Sequence, residues 1–480
     1  MAAKRGVKAG RPGGRGTGRR FDRKSTRAQL GGPAEVRPRP LREDLVRALA
    51  LEALAAIRDE GRVADRTLDH LLHRERRLYA AERRAVAEAV YGLLRAEGRL
   101  HHVFERTLGG EYLALSPAAR RALWYEALRA KERGVDPARA LAEAGLSAAL
   151  LPGLDAFLGE EPVAAADAPV EERIALEEGL PTWMTAIFVR QLGEEGARDL
   201  AAALNERAPL TIRANRLHVE REALARRLEA EGVASTPTRF AADGLHVEGR
   251  VNLFGLPSFR EGLFEIQDEG SQLLAALLDP RPGWLTIDAC AGAGGKTLAL
   301  AASMRNKGRL VALDVDGRRL SQLGPRARRA GVHNWEAHVV PEDGLPAELS
   351  ARLSGKADAV LVDAPCTGLG VLRRNPDARH RLDEGSVARF ASLQRALLHR
   401  YASLAKPGGR IVYATCSVAA EENEEVVEAV LAERPDLEFL PPSTTLGEEL
   451  AERLGAGRYL RLLPHVHGTD GFFAALLRRR

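Results

Sequence analysis

Two cysteines stand where a ligand could meet them. Cys366 closes Asp363-Ala-Pro-Cys366, and Cys416 is the centre of Thr415-Cys-Ser417. Each follows an apolar run, Ala357–Asp363 or Arg410–Thr415, that reads as a buried strand. A thiol just past a strand end is badly placed to be core filler. Such a pair could be a metal site, a redox pair or catalytic groups. A metal would want more Cys or His nearby, and a redox pair usually sits within one short motif. The third cysteine, Cys290, lies in Asp288-Ala-Cys-Ala-Gly-Ala-Gly-Gly-Lys-Thr297. Small residues there let the backbone approach a ligand, with the N–H groups of a following helix aimed at it. Phosphate-loop spacing fails, because position 290 is Cys where glycine is needed. The dinucleotide pattern fits poorly, because position 297 is Thr where a third glycine belongs. Asp314 ends the next apolar run, where an acidic residue accepts from ribose hydroxyls, and Asp316 is placed to cap the helix that follows.

These residues need a scaffold that brings strand ends together. From Gly283 onward, apolar runs alternate with helical segments, which predicts a mainly parallel sheet covered on both faces. Ligands in such sheets bind at the carboxyl ends of the strands, where Asp288, Asp314, Asp363 and Cys416 fall. Runs near 437–440 and 471–477 are expected to add an antiparallel edge. Upstream, apolar residues recur at helical spacing from Leu41 to about Leu158, which predicts five to seven helices. Residues 163–169 read as a linker. Between them and the parallel sheet lies a small α+β connector, with strands expected at 209–215, 245–247 and 251–254 and a helix over 219–232.

The chain has 480 residues, and its net charge of +5 is a property of its first segment. Residues 1–42 hold 13 Lys or Arg against 2 acidic side chains. A Gly/Arg-rich run cannot build a core and is expected to be disordered, neutralising phosphates without reading sequence. No stretch approaches the ~18 uninterrupted apolar residues of a membrane helix. The N-terminus lacks an apolar signal core, so a cytoplasmic protein is expected. Three cysteines exclude a disulfide framework, and no zinc pattern is present.

The Asp288–Thr297 segment, Leu313-Asp-Val-Asp316, the run Asp363-Ala-Pro-Cys-Thr-Gly-Leu-Gly-Val-Leu-Arg-Arg-Asn-Pro-Asp377 and Tyr413-Ala-Thr-Cys-Ser417 resemble, in order and spacing, the RsmB/NOP (Nop/Sun) family of RNA 5-methylcytosine methyltransferases. The resemblance covers residues from about 259 to the C-terminus. The segments with Leu78, Glu82-Arg-Arg84 and Val90–Arg95 are similar to the NusB-like RNA-binding domain of bacterial members that act on small-subunit (16S) ribosomal RNA. It implies a multidomain chain: a basic tail (1–42), an all-α NusB-like domain (43–160), an α+β connector (170–258) and an α/β Rossmann-like class I methyltransferase domain (259–480).

The family's chemistry implies that Cys416 adds to carbon 6 of cytosine, so that carbon 5 can attack the methyl of S-adenosyl-L-methionine. Cys366 would promote release, and Asp363 would hold the cytosine edge. Cys290, Ala291, Gly292, Ala293, Gly294, Gly295, Lys296, Asp314, Asp343 and Asp363 would line the donor site, with no metal. Cys290 is expected as pocket wall. Ala293 stands where the family usually has proline, so a looser turn is expected. Arg373 and Arg374 read either as phosphate contacts or as a solvated pair. The substrate implied is ribosomal RNA, met as a single strand or loop, by a monomer. Transfer RNA, or a non-catalytic role in ribosome assembly, is the alternative. DNA is not expected, since DNA enzymes of this chemistry use the Pro-Cys thiol as nucleophile and need no second one.

Overall fold

The computed structural model describes residues 40–160, 167–249 and 251–480. The basic tail up to residue 39 and most of the expected linker lie outside the described residues.

Seven α-helices occupy the first part: Glu43–Asp59, Ala64–Arg74, Ala80–Leu108, Gly110–Leu113, Pro117–Arg133, Pro137–Glu143 and Leu151–Leu158. The first buries Val46, Leu49, Ala50, Ala53, Leu54 and Ile57, an apolar stripe at three- and four-residue spacing. Ser116 and Asp136 cap two of the helices by accepting from Ala119 N (3.2 Å) and Arg139 N (2.8 Å). The longest helix packs against the turn that ends the helix Val170–Glu178. A Cβ on Gly98 would stand 2.9 Å from the Gly179 backbone, so only glycine permits this approach.

The connector continues through the helix Thr182–Asn205, broken at Gly193, into a small antiparallel sheet. Its strands are β1 (Thr211–Ala214), β2 (Ser235–Pro237), β3 (Gly244–Val247) and β4 (Phe264–Ile266), in the order β2-β3-β1-β4. The helix Arg221–Ala230 covers it through Leu224 and Leu228, against Ile212, Leu245 and Phe264. The strand expected at 251–254 is instead a 3₁₀ turn, Leu253–Gly255, running into the Pro257–Arg260 helix. β4 lies beyond the boundary expected at 258, yet it pairs with β1.

The second sheet contains β5 (Leu285–Asp288), β6 (Arg309–Asp314), β7 (Trp335–Val339), β8 (Ala357–Asp363), β9 (Ala405–Thr415), β10 (Leu437–Leu440), β11 (Leu460–Leu462) and β12 (Phe472–Arg479). Its order is β10-β12-β9-β8-β5-β6-β7, with β11 beside β12. β5 to β9 are parallel, and β12 runs antiparallel to β9 and β10, the edge expected from sequence. Apolar side chains on both faces bury the central strands, as a parallel sheet requires.

Arg373 and Arg374 form no free solvated pair: both are engaged by carboxylates of the fold. Arg373 is buried and donates to Asp470 (2.6 Å) and to the Gly468 carbonyl (2.9 Å). Arg374 pairs with Asp470 and with Asp268 (3.1 Å). The fork ties the segment after Cys366 to the start of β12. Asp470→Ala would strand a buried guanidinium and is expected to cost about 3–5 kcal/mol. The shift in urea midpoint at unchanged slope measures this; an unmoved midpoint would show that water replaces the carboxylate.

Candidate active site

The carboxyl ends of β5, β6, β8 and β9 open on one cleft. Beyond β5 the chain stays wedged between its neighbours: Ala289 N donates to Leu361 O (2.8 Å) and Ala291 N to Leu313 O (2.9 Å). It then turns through Gly292 (φ 55°) and Gly294 (φ 84°) into the helix Gly295–Ser303. A Cβ on Gly294 would lie 2.4 Å from Leu323, so the turn requires glycine there on both counts. The Asp314 carboxylate receives Gly292 N (2.6 Å) and Asp316 N (2.7 Å), bracing the turn from β6. Asp316 caps the next helix, accepting from Arg318 N (2.9 Å) and Arg319 N (3.1 Å).

The carbonyl of Ala293, the residue expected to loosen the turn, is held by Arg326 at 2.7 Å. Arg326 is oriented in turn by Glu265 of β4 (3.0 Å). Arg213 of β1 reaches the Gly295 carbonyl (3.4 Å). The small sheet therefore buttresses the glycine-rich turn. Cys290 is half-buried on the cleft wall, and burial pushes its thiol well up, so it stays neutral near pH 7. Asp343 lies in an exposed turn past β7.

Lys296 projects from the helix start and pairs with Asp363, Nζ to Oδ2 2.7 Å. Burial alone would lower the ammonium, but the Asp363 carboxylate outweighs it and holds Lys296 above its usual value. Asp288 is buried and accepts from Thr297 Oγ1 (2.7 Å), while its Oδ1 has no protein partner. Burial pushes its carboxyl up to about 7.

The two thiols meet: Cys366 Sγ lies 3.3 Å from Cys416 Sγ. The contact with Cys416, followed by burial, drives the Cys366 thiol well up. The loops that carry them share hydrogen bonds. Gly370 N donates to Cys416 O (2.9 Å), and Gly370 O accepts from Gly471 N (2.8 Å). Beneath them, buried Glu422 accepts from Thr367 N (2.8 Å), Thr367 Oγ1, Ser417 Oγ and Gln394 Nε2 (2.9 Å). Asn423 takes Thr415 Oγ1 (2.5 Å) and returns Nδ2 to Ser417 O (3.0 Å). These two side chains lie in the acidic run 421–425, where nothing in the residue types marks an inward turn. The helix begins at Glu424, after a 3₁₀ turn that folds Glu422 inward. No group of His, Cys, Asp and Glu among the described residues could hold a metal ion.

Residues 275–478 match the model of 16S rRNA methyltransferase RsmB/F, and residues 180–253 match that of the RsmF/B-like ferredoxin-like domain. A probable ribosomal RNA small subunit methyltransferase B from Synechocystis is 32% identical, covering 90% of this chain and 99% of its own length. The chain belongs to the RsmB/F methyltransferase family. A probable methyltransferase B from Bacillus subtilis is 30% identical over 92% of this chain and all of its own. The crystal structure of a methyltransferase homologue from Pyrococcus horikoshii, 31% identical, superposes with a TM-score of 0.55 over 65% of this chain and 100% of that one. In this RsmB/F-type methyltransferase two thiols lie just past strand ends, and Asp363 at the end of β8 pairs with Lys296.

Asp288 gives this cleft a pH signature. Its folded value lies above the ordinary 3.8, so the folded state keeps a proton that the unfolded chain releases. Stability from this carboxyl is intact at low pH and is lost as pH rises through about 7. Asp288→Asn keeps the acceptor for Thr297 and cannot ionise. Its unfolding temperature relative to the parent is expected to rise between about pH 5 and about pH 8. A constant difference across that range would mean that Asp288 is ionised throughout.

Proposed function

We propose that the chain transfers a methyl group from S-adenosylmethionine to carbon 5 of a cytosine in ribosomal RNA, through a covalent adduct of Cys416 at carbon 6. The observation that carries this reading is the approach of two free thiols to 3.3 Å beside the Lys296–Asp363 pair. A redox couple would not need a carboxylate–ammonium pair at its side. The relatives in Synechocystis and Bacillus subtilis carry names that specify the small ribosomal subunit, which favours that RNA.

The residues fit the donor. Gly292 leaves the turn open, with the Arg319 guanidinium its nearest neighbour, and Asp314 offers a carboxylate that already orders the turn. Residues Cys290 to Lys296, with Asp314, Asp343 and Asp363, would hold S-adenosylmethionine, which supplies an electrophilic methyl group. The chain does the rest. The Cys416 thiolate adds to carbon 6, and the ring electrons shift so that carbon 5 becomes nucleophilic. Asp363 accepts from the cytosine edge, and Lys296, 2.7 Å away, aims that carboxylate. After transfer, the carbon 5 proton passes to water, the double bond between carbons 5 and 6 re-forms, and Cys416 departs as the thiolate. Cys366 stands in contact with that sulfur and assists the release. The target base must leave its stack to meet two thiols at the strand ends, so loops and single strands are the easier substrates. The helical region would supply RNA contacts. It touches the segment after Cys366 through Ala64 N to Asp377 (3.3 Å) and Arg95 to Arg373 O (3.1 Å).

Asp314→Ala is expected to weaken donor binding by about ten- to a hundredfold, from lost charge-assisted hydrogen bonds. Calorimetry with S-adenosylmethionine checks this, and unchanged affinity would remove Asp314 from the site. The thiols should fail differently. Cys416→Ala is expected to lose both methylation and any covalent RNA complex. Cys366→Ala should accumulate a protein–RNA species that survives denaturing electrophoresis, because elimination stalls. A trapped complex in Cys416→Ala and none in Cys366→Ala would reverse the roles.

A further inference from the structure

The thiols sit on two separate loops, and a single buried side chain reaches both. Thr367 directly follows Cys366, and Ser417 directly follows Cys416. The Glu422 carboxylate accepts from both hydroxyls and from the Thr367 amide (2.8 Å). The two hydroxyl oxygens lie 3.2 Å apart, so the loops meet directly beneath the sulfurs. Gln394 Nε2 donates from the helix behind (2.9 Å). Glu422 is fully buried, and among the described residues no lysine or arginine pairs with it. Burying a carboxylate without a counter-ion is costly, and a neutral or apolar brace would hold the fold at less expense. The feature that needs this group is the relative placement of the two loops. The two carboxylate oxygens of Glu422 take all four donors in one orientation. Asn423 secures the other side of Cys416 through Thr415 Oγ1 (2.5 Å).

We propose that Glu422 is a positioning residue for the methyl transfer: it locks the Cys366 and Cys416 loops in the register that lets both sulfurs face one cytosine. The inference rests on the reading of Cys416 as nucleophile. It acts through geometry, so its loss lowers turnover without loosening the grip on RNA or donor.

The test uses the full chain, S-adenosylmethionine and an unmodified small-subunit ribosomal RNA transcript. Active sites are counted by donor binding. Glu422→Gln should lower kcat per site by about a hundredfold, the scale of a misplacement of about 1 Å. KM for RNA and Kd for the donor should stay within about twofold. Formation of the covalent complex on RNA carrying 5-fluorocytosine should slow in proportion to kcat. A carboxylate that only supports the fold would reduce the number of sites and leave kcat per site unchanged; that result overturns the proposal. If Glu422→Gln binds no donor, Ser417→Ala takes its place, because it removes one of the four donors. Its kcat per site should fall by about tenfold with KM unmoved, and an unchanged kcat there would equally overturn it. Parent activity that survives Cys416→Ala would instead defeat the nucleophile reading, which separates the two failures.

Discussion

The parallel pairing of β8 with β9 is the constraint on which the site depends. Its register sets Asp363 opposite Ala414, so both chains leave the sheet at the same edge and level. Cys366 comes three residues beyond β8, and Cys416 one residue beyond β9. Without this pairing, two thiols 50 positions apart in sequence would have no reason to meet. With it they stand 3.3 Å apart. β12 closes the other side of β9 antiparallel, with Phe473 opposite Thr415, and removes the free edge that would let the β9 end shift.

Each remaining part of the chain steadies one wall of the cleft. The small sheet holds the glycine-rich turn through Glu265, Arg326 and the Ala293 carbonyl. The helical region holds the segment after Cys366. Arg379, buried there, donates to Arg95 O (3.1 Å), and His380 contacts Leu94 O (3.2 Å). Burial lowers the Arg379 guanidinium to about 9, still charged near neutrality. The Asp470 fork locks that segment to β12. These buried polar contacts are directional, so they specify loop positions in a way that apolar packing alone does not.

The parts of this arrangement that were legible in sequence are those encoded locally. Apolar runs ending in Asp288, Asp314, Asp363 and Thr415 marked strand ends, and the topology rule for parallel sheets brought those ends together. Asp316 as a cap follows from its place one residue before the helix. What was hidden depends on partners far along the chain. Arg373 meets Asp470 97 residues away, and nothing beside either residue announces the pairing. Glu422 looks like the acidic first turn of a helix until the 3₁₀ turn directs it inward. The strands β2, β4 and β11 are three residues each, too short for an alternating pattern to emerge. The helical region carried a clear 3.6-residue period, but its contact with the segment after Cys366 could not be read from that period.

The central claim is that Cys416, rather than its neighbour, forms the bond to RNA. The direct measurement traps the parent protein on RNA carrying 5-fluorocytosine in the presence of S-adenosylmethionine. Digestion and mass spectrometry then identify the peptide that bears the nucleotide. The account predicts the adduct on Cys416 with a transferred methyl group on the base and Cys366 unmodified. An adduct on Cys366, or a methylated base with no protein attached, would contradict it.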